Sequence, residues 1–274
     1  METYKKVVKE LSVKLREVTH IPLKEVELLL LYILDKNIIW LHLNYDKECE
    51  CKKELEKLVD KRATDYPLEY ITKRATFYGE VFNVEPGVLI PRPQTEILID
   101  KTIEIIKDKK SIKILEIGCG SGIISVILAT IFEDISIKAV DINDKALKLS
   151  KSNAIKHQVD HKIEFIKSDL YQNIQDESFD IVVSNPPYIA NSYKLPKNVN
   201  YEPHNALFGG GVGDELLKDI IIETFNKEIP YLICEMGYDQ KKPLTTFCEQ
   251  NIKYKKLEFY KDLEGFDRGF VLEF

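Results

Sequence analysis

From Ile112 onward the apolar positions switch period again and again, and this alternation limits the fold more than any other feature of the chain. Short, nearly continuous apolar runs predict strands at 112–117, 135–142, 163–166, 179–183 and 231–234. Segments with one apolar stripe at helical spacing predict helices over 123–132, 145–157, 216–225 and 239–250. Strands that alternate with helices require crossover connections, so they build a mostly parallel sheet covered on both faces. The last two apolar segments, 257–260 and 269–274, are joined by only a short glycine-containing connection and predict an antiparallel hairpin at the sheet edge. The expected architecture is therefore α/β, Rossmann-like, with seven strands.

The first 72 residues read differently. They contain no glycine, the first being Gly79, and only Pro22 and Pro67 interrupt them. Val7, Val8, Leu11, Leu15 and Val18 lie at helical spacing over 2–18; Leu23, Val26, Leu29, Leu30 and Ile33 repeat the pattern over 23–35; Leu55, Leu58 and Val59 mark a third helix from about 51 to 65. This predicts a small all-helical domain over 1–74, with Tyr4, Trp40 and Tyr45 in its core. Phe77, Tyr78, Val81, Phe82 and Val84 around Gly79 suggest a β-hairpin, and Pro86-Gly87 and Pro91-Arg92-Pro93 punctuate the segment after it. A hairpin and proline-ordered linker is expected over 75–92, then a domain over 93–274 that opens with a helix over about 93–107, Pro93 suiting its first turn.

Charge narrows the function classes. The 274 residues carry 39 Lys and Arg against 45 Asp and Glu, a net of -6. Residues 1–74 are nearly balanced, with 15 basic and 14 acidic, so the deficit falls in the α/β part, which is a poor platform for duplex nucleic acid. The five cysteines are scattered, without a CxxC pair, and neither they nor the five histidines show metal-ligand spacing, so no metal is expected. The charged start has no secretory pattern, and the longest mostly apolar stretch, Val26 to Leu34, is too short to cross a bilayer. A cytoplasmic setting away from membranes is expected.

Seven of the 12 glycines fall in two windows, 118–122 and 209–213. The first, Glu116-Ile117-Gly118-Cys119-Gly120-Ser121-Gly122, ends a strand and opens a helix, where glycines let the backbone approach a ligand and the helix start offers free N–H groups. Gly122 runs straight into Ile123-Ile124 without the pyrophosphate-type spacing, which fits a loop passing beneath an amino-acid-bearing nucleoside. Asp141, at the end of the second strand, is placed to accept from both ribose hydroxyls. Asp169, followed by Leu170, is placed to border an adenine. The tetrapeptide Asn185-Pro186-Pro187-Tyr188 follows the fourth strand, at the sheet edge where open α/β proteins bind ligands.

Together these residues resemble a class I S-adenosylmethionine-dependent methyltransferase acting on a planar amide or exocyclic amine nitrogen. Pro67-Leu68-Glu69-Tyr70-Ile71, Phe77-Tyr78-Gly79 and Leu89 through Glu96 narrow the resemblance to the bacterial release-factor glutamine methyltransferase family, and Glu202-Pro203 and Asp267-Arg268 extend it over nearly the whole chain. It implies a helical bundle joined to a Rossmann-like methyltransferase domain. It also implies methylation of the glutamine side-chain nitrogen in the Gly-Gly-Gln loop of class I peptide chain release factors, with S-adenosylhomocysteine as product. The cofactor residues implied are Gly118, Cys119, Gly120, Ser121, Gly122, Asp141, Asp169, Leu170 and Asn185, with Arg92, Thr95 and Glu96 as candidates for lining the methionine end. Asn185, Pro186, Pro187 and Tyr188 would hold the substrate, and Asn185, Pro186 and Tyr188 would carry catalysis: the Asn185 side-chain oxygen and the Pro186 carbonyl accept the two N–H groups, and the Tyr188 ring covers the amide. A monomer acting on a protein, without direct nucleic-acid contact, is expected, the helical domain docking the factor. Two other readings share the tetrapeptide, a glutamine methyltransferase of a ribosomal protein and an adenine-N6 nucleic-acid methyltransferase. Two departures stand out: Gln94 replaces the usual Asp, and 209–213 is unusually glycine-rich and reads as a flexible loop.

Overall fold

The structure, a computed structural model, describes residues 2–175 and 177–274. The chain divides into two compact units, Met1–Arg74 with Leu195–Tyr201, and Ala75–Lys194 with Glu202–Phe274.

The first unit contains α1 (Tyr4–Ser12), α2 (Pro22–Leu34), α3 (Ile38–Leu43), α4 (Lys52–Arg62) and α5 (Leu68–Thr72). Val7, Leu11, Leu15, Val26, Leu29, Leu30, Leu55 and Val59 are fully or almost fully buried where the apolar stripes meet. Tyr4 joins this core edge-on to the half-buried Trp40, and Tyr45 is half-buried against it. The expected helix over 2–18 stops sooner: α1 ends at Ser12 and a 3₁₀ turn follows at Val13–Leu15. Val18 lies in the turn that follows. Both α3 and α5 are too short to show a periodic stripe; α3 is started by Asn37, whose side chain accepts from the Trp40 N–H at 2.9 Å. Residues 195–201 are not contiguous with this unit in sequence, yet the Tyr201 hydroxyl donates to the Thr64 carbonyl at 3.0 Å and its ring meets Tyr66 edge-on.

In the second unit, β1 (Arg74–Phe77) and β2 (Glu80–Asn83) form the expected hairpin. Tyr78 and Gly79 both have positive φ, 52° and 78°, which matches the twist of a tight hairpin turn. Then come α6 (Thr95–Ile106), β3 (Ile112–Ile117), α7 (Ile123–Ile131), β4 (Ile135–Asp141), α8 (Asp144–Lys156), β5 (Ile163–Lys167), β6 (Ile181–Ser184), β7 (Ile189–Ala190), β8 (Phe208–Gly210), α9 (Glu215–Asn226), β9 (Tyr231–Glu235), α10 (Lys241–Asn251), β10 (Lys256–Lys261) and β11 (Asp267–Glu273). The main sheet has seven strands in the order β10-β11-β9-β6-β3-β4-β5. Its pairs are parallel from β9 to β5, while β11 runs antiparallel to both neighbours, giving the predicted edge hairpin.

Strand β3 shows how both faces are covered: Ile112 and Ile114 join a core with α6, α7 and α8 residues such as Leu98, Val126 and Ala154, while Leu115 and Ile117 join one with Leu217 of α9 and Leu244 of α10. Strand β6 reaches one residue further than the apolar run because Ser184, fully buried, satisfies its hydroxyl on the Ile117 carbonyl at 2.7 Å. The small β7–β8 pair is parallel and separate from the main sheet. Among the described residues no helix is long and apolar enough to cross a membrane.

Candidate active site

Parallel strands in register end together, so β3, β4, β5 and β6 bring the Gly118 loop, Asp141, Ser168–Leu170 and Asn185 to one edge of the sheet. A cavity of about 290 Å³ opens there, lined by Gly118, Gly120, Asp141, Asp169, Leu170, Asn185, Pro186 and Pro187 together with Val88, Leu89, Pro203, Ala206 and Leu216. A smaller one of about 40 Å³ adjoins it, lined by Leu89, Arg92, Thr95, Glu116, Gly118, Cys119, Gly120, Ser121 and Asn185.

The loop under these cavities is held by the next strand. Gly118 and Cys119 donate to the Val140 carbonyl at 2.8 and 2.9 Å, and Gly120 donates to Asp141 Oδ2 at 2.9 Å. Gly118, Gly120 and Gly122 have φ of 74°, 55° and 79°, in the left-handed region that glycine alone enters freely. A Cβ at Gly118 or Gly120 would meet nothing within 4 Å, whereas one at Gly122 would lie 2.7 Å from Ser150 Cβ. Gly122 lines neither cavity and instead lets α7 pack on α8. Asp141 accepts from Asn143 N–H with its other oxygen at 2.8 Å, and burial raises its pKa against these backbone donors. It shapes the loop while keeping lone pairs toward the cavity. Beneath the loop, Glu116 is 1% exposed; its carboxyl accepts from the Ser125 N–H at 3.1 Å and the Ser125 hydroxyl, and burial pushes its pKa up to about 8. Its other oxygen is buried beside the smaller cavity without a hydrogen-bond partner among the described residues.

The tetrapeptide sits in a network that local sequence does not announce. Asn185 Nδ2 donates to Thr95 Oγ1 at 3.0 Å, Thr95 Oγ1 donates to Glu235 Oε2 at 2.7 Å, and the Tyr188 hydroxyl donates to Glu235 Oε1 at 2.9 Å. Tyr188 lines neither cavity: its hydroxyl is turned to Glu235 and its ring packs against the core that contains Leu115 and Leu217, so the structure does not place it over a substrate amide. Gln240 Nε2 donates to the Tyr188 carbonyl at 2.8 Å. Arg92 pairs with the buried Glu202, which also accepts from the Ile90 N–H at 3.0 Å. Glu96 points elsewhere, accepting from the Tyr78 N–H at 2.7 Å and so bracing the hairpin.

The second glycine window is packed closely against the tetrapeptide. A Cβ at Gly209 would lie 2.4 Å from the Pro187 carbonyl oxygen, and one at Gly213 2.6 Å from that of Tyr188. The Val212 and Gly213 N–H groups donate to Glu215 at 2.9 and 2.7 Å. The window backs the tetrapeptide at a distance no side chain would permit.

Sequence comparison decides the family. The Methyltransferase small domain model matches residues 94–208 and the PrmC N-terminal domain model residues 6–72. A release factor glutamine methyltransferase of Aquifex aeolicus is 34% identical, matched over 91% of this chain and 90% of its own. The chain belongs to the release factor glutamine methyltransferase family. A second relative of that name, from Fusobacterium nucleatum, is 37% identical over 82% of this chain and 65% of its own. The fold is shared more widely: the N-terminal domain of human METTL16 in complex with SAH superposes with a TM-score of 0.53 at 16% identity, over 70% of this chain and 75% of that one.

The chain is thus a methyltransferase, with S-adenosylmethionine as methyl donor, and its residues suit that ligand. The two adjoining cavities share Leu89, Gly118, Gly120 and Asn185, offering one continuous seat with a wider and a narrower end. Space above Gly118 and Gly120 is open to a ligand where a Cβ would intrude, and acidic side chains stand at both ends, Asp141 at the wider and Glu116 at the narrower.

Proposed function

We propose that this protein methylates the side-chain amide nitrogen of the glutamine in the Gly-Gly-Gln motif of class I peptide chain release factors. One observation supports this most: Asn185 alone of the tetrapeptide lines both cavities, so it stands where the wider and narrower ends of the donor's seat meet. Bound S-adenosylmethionine supplies a methyl group on a cationic sulfur. In the proposed arrangement Gly118, Cys119, Gly120 and Ser121 underlie it, Asp141 accepts from the ribose, and Asp169 and Leu170 border the base.

An amide nitrogen is a weak nucleophile, because its lone pair is delocalised into the carbonyl. Asn185 Oδ1 and the Pro186 carbonyl would accept its two N–H groups, fix its orientation toward the donor, and stabilise the positive charge that develops on it. The neutral acceptors avoid a buried charge at this point. Pro186 and Pro187 bring no backbone donors into the site and stiffen its entrance. The nitrogen, cationic once methylated, loses its proton readily without a strong base. The helical unit, Met1–Arg74 with Leu195–Tyr201, is proposed as the docking element for the factor; Ile39 and Leu43 are its most exposed large apolar side chains, at 67% and 80%.

The test is transfer of labelled methyl to four acceptors: a release factor, its Gly-Gly-Gln glutamine mutant, a ribosomal protein and DNA. Label is expected on the intact factor alone. Label on DNA points to an adenine methyltransferase, label on the ribosomal protein to the other glutamine methyltransferase, and label persisting on the mutant factor overturns the assignment. For docking, Leu43→Asp is expected to raise KM for the whole factor but not for a short Gly-Gly-Gln peptide.

A further inference from the structure

Resting on that reading, we propose that Thr95 and Glu235 are positioning residues that decide which end of the Asn185 amide faces the acceptor nitrogen. The hydrogens available to the network are few enough to count. Glu235, 2% exposed at the carboxyl end of β9, is held by two hydroxyls, Tyr188 on Oε1 at 2.9 Å and Thr95 on Oε2 at 2.7 Å. A carboxylate only accepts, so both hydroxyl hydrogens are committed to it. Thr95, 1% exposed at the start of α6, has one hydrogen to give; with that spent, its oxygen can only accept from Asn185, 3.0 Å away. Asn185 must therefore turn its NH2 to Thr95, and its oxygen is left for the cavities.

The reverse orientation would aim an NH2 group at the substrate's own NH2, donor against donor. Without the Thr95 link nothing else in this network separates the two orientations, because the amide ends are nearly equal in shape. The charge on Glu235 thus sets the polarity of the acceptor site through a hydroxyl held between Glu235 and Asn185.

The groups around Glu235 bear on its ionisation. Arg92, ahead of α6, and Arg268 on β11 favour the charged form, as do the two hydroxyls; burial opposes them and prevails in raising the pKa. Tyr260 on β10 donates to the Cys234 carbonyl at 3.3 Å, and both it and Cys234 are buried with raised pKa, so neither adds a charge in the neutral range. When Glu235 gains a proton on Oε2, the oxygen Thr95 holds, the Thr95 hydroxyl becomes its acceptor, which frees the Thr95 hydrogen for Asn185.

The full-length enzyme with a release factor tests this. Thr95→Val and Glu235→Gln are each expected to lower kcat about tenfold or more with KM for S-adenosylmethionine within about twofold. Thr95→Ser should recover most of the loss because it restores the hydroxyl. The acid limb of the wild-type kcat profile should be missing from Thr95→Val, which has no link for Glu235 to act through. A Thr95→Val enzyme with wild-type kcat, or with the same acid limb, overturns the proposal, as does a Thr95→Ser enzyme no better than Thr95→Val. A second readout needs no turnover. In ¹⁵N-asparagine-labelled protein, the Asn185 side-chain NH2 signal, assigned by its loss in Asn185→Asp, should shift and exchange faster with solvent in both Thr95→Val and Glu235→Gln. An unmoved signal in both overturns the relay. If wild-type enzyme transfers no methyl to a release factor, the functional reading fails, while this signal still decides the relay.

Discussion

The two glycine windows look alike in sequence and obey opposite physical demands. At 118–122 the glycines give the backbone a left-handed path and leave open space above Gly118 and Gly120. At 209–213 Gly209 and Gly213 face carbonyl oxygens of the tetrapeptide so closely that no Cβ fits. One window leaves room for a ligand; the other leaves room for the protein. Glycine richness alone therefore does not mark a ligand loop, and the space around an added Cβ tells the two cases apart.

Substitutions can break or sharpen this contrast. The largest effect is expected in the tetrapeptide that the second window backs at Pro187 and Tyr188: Asn185→Ala should lower kcat about 100-fold or more while the melting temperature stays within about 2 °C, measured by single-turnover transfer and calorimetry. Near-wild-type turnover would leave the second window backing nothing that matters for catalysis. Next, Gly209→Ala should destabilise by about 2 to 4 kcal/mol in denaturant titrations, because neither the Pro187 nor the Gly213 carbonyl can retreat without moving the tetrapeptide. Gly120→Ala meets no atom, so its stability loss should be only the roughly 1 to 2 kcal/mol of a left-handed alanine. Its larger consequence should be weaker S-adenosylhomocysteine binding by titration calorimetry; unchanged affinity would undo the assignment of the first window to a ligand.

A pH-dependent effect on stability is expected at Glu116, beneath that window. Its pKa rises from 4.5 to about 8 on folding, so the folded chain keeps a proton that the unfolded chain has lost, and stability falls as pH rises between those values. Glu116→Gln removes this dependence. In thermal melts at pH 5 and pH 9 the wild type should lose more between the two than the variant does.

How much of the molecule is legible in its sequence depends on whether a feature is local. The strand and helix alternation, the glycine loop and the strand-end Asp141 and Asn185 are each carried by a few consecutive residues, and the structure gathers Gly118, Gly120, Asp141, Asp169, Leu170, Asn185, Pro186 and Pro187 around one cavity. Tyr188 reads as a substrate cover because a ring beside a site invites it; its actual partner, Glu235, is 47 residues away, and Thr95 and Glu235 are 140 apart. No period or spacing signals such a pairing. A faint clue lies in Glu235 itself, a carboxylate closing the apolar run Tyr231-Leu232-Ile233-Cys234, where a charge is costly unless it is held. The second window reads as flexible because glycine permits both looseness and close approach, and only neighbouring atoms distinguish them.

The excursion of Leu195–Tyr201 into the helical unit has a genetic consequence. A cut at residue 74 would remove a contiguous stretch of gene but not a self-contained body, since Tyr201 would lose both the carbonyl and the ring it rests on. Recombination that exchanges the amino-terminal piece between relatives would have to bring a matching 195–201 with it. The two stretches are expected to be inherited as a pair, though more than a hundred residues of another unit lie between them.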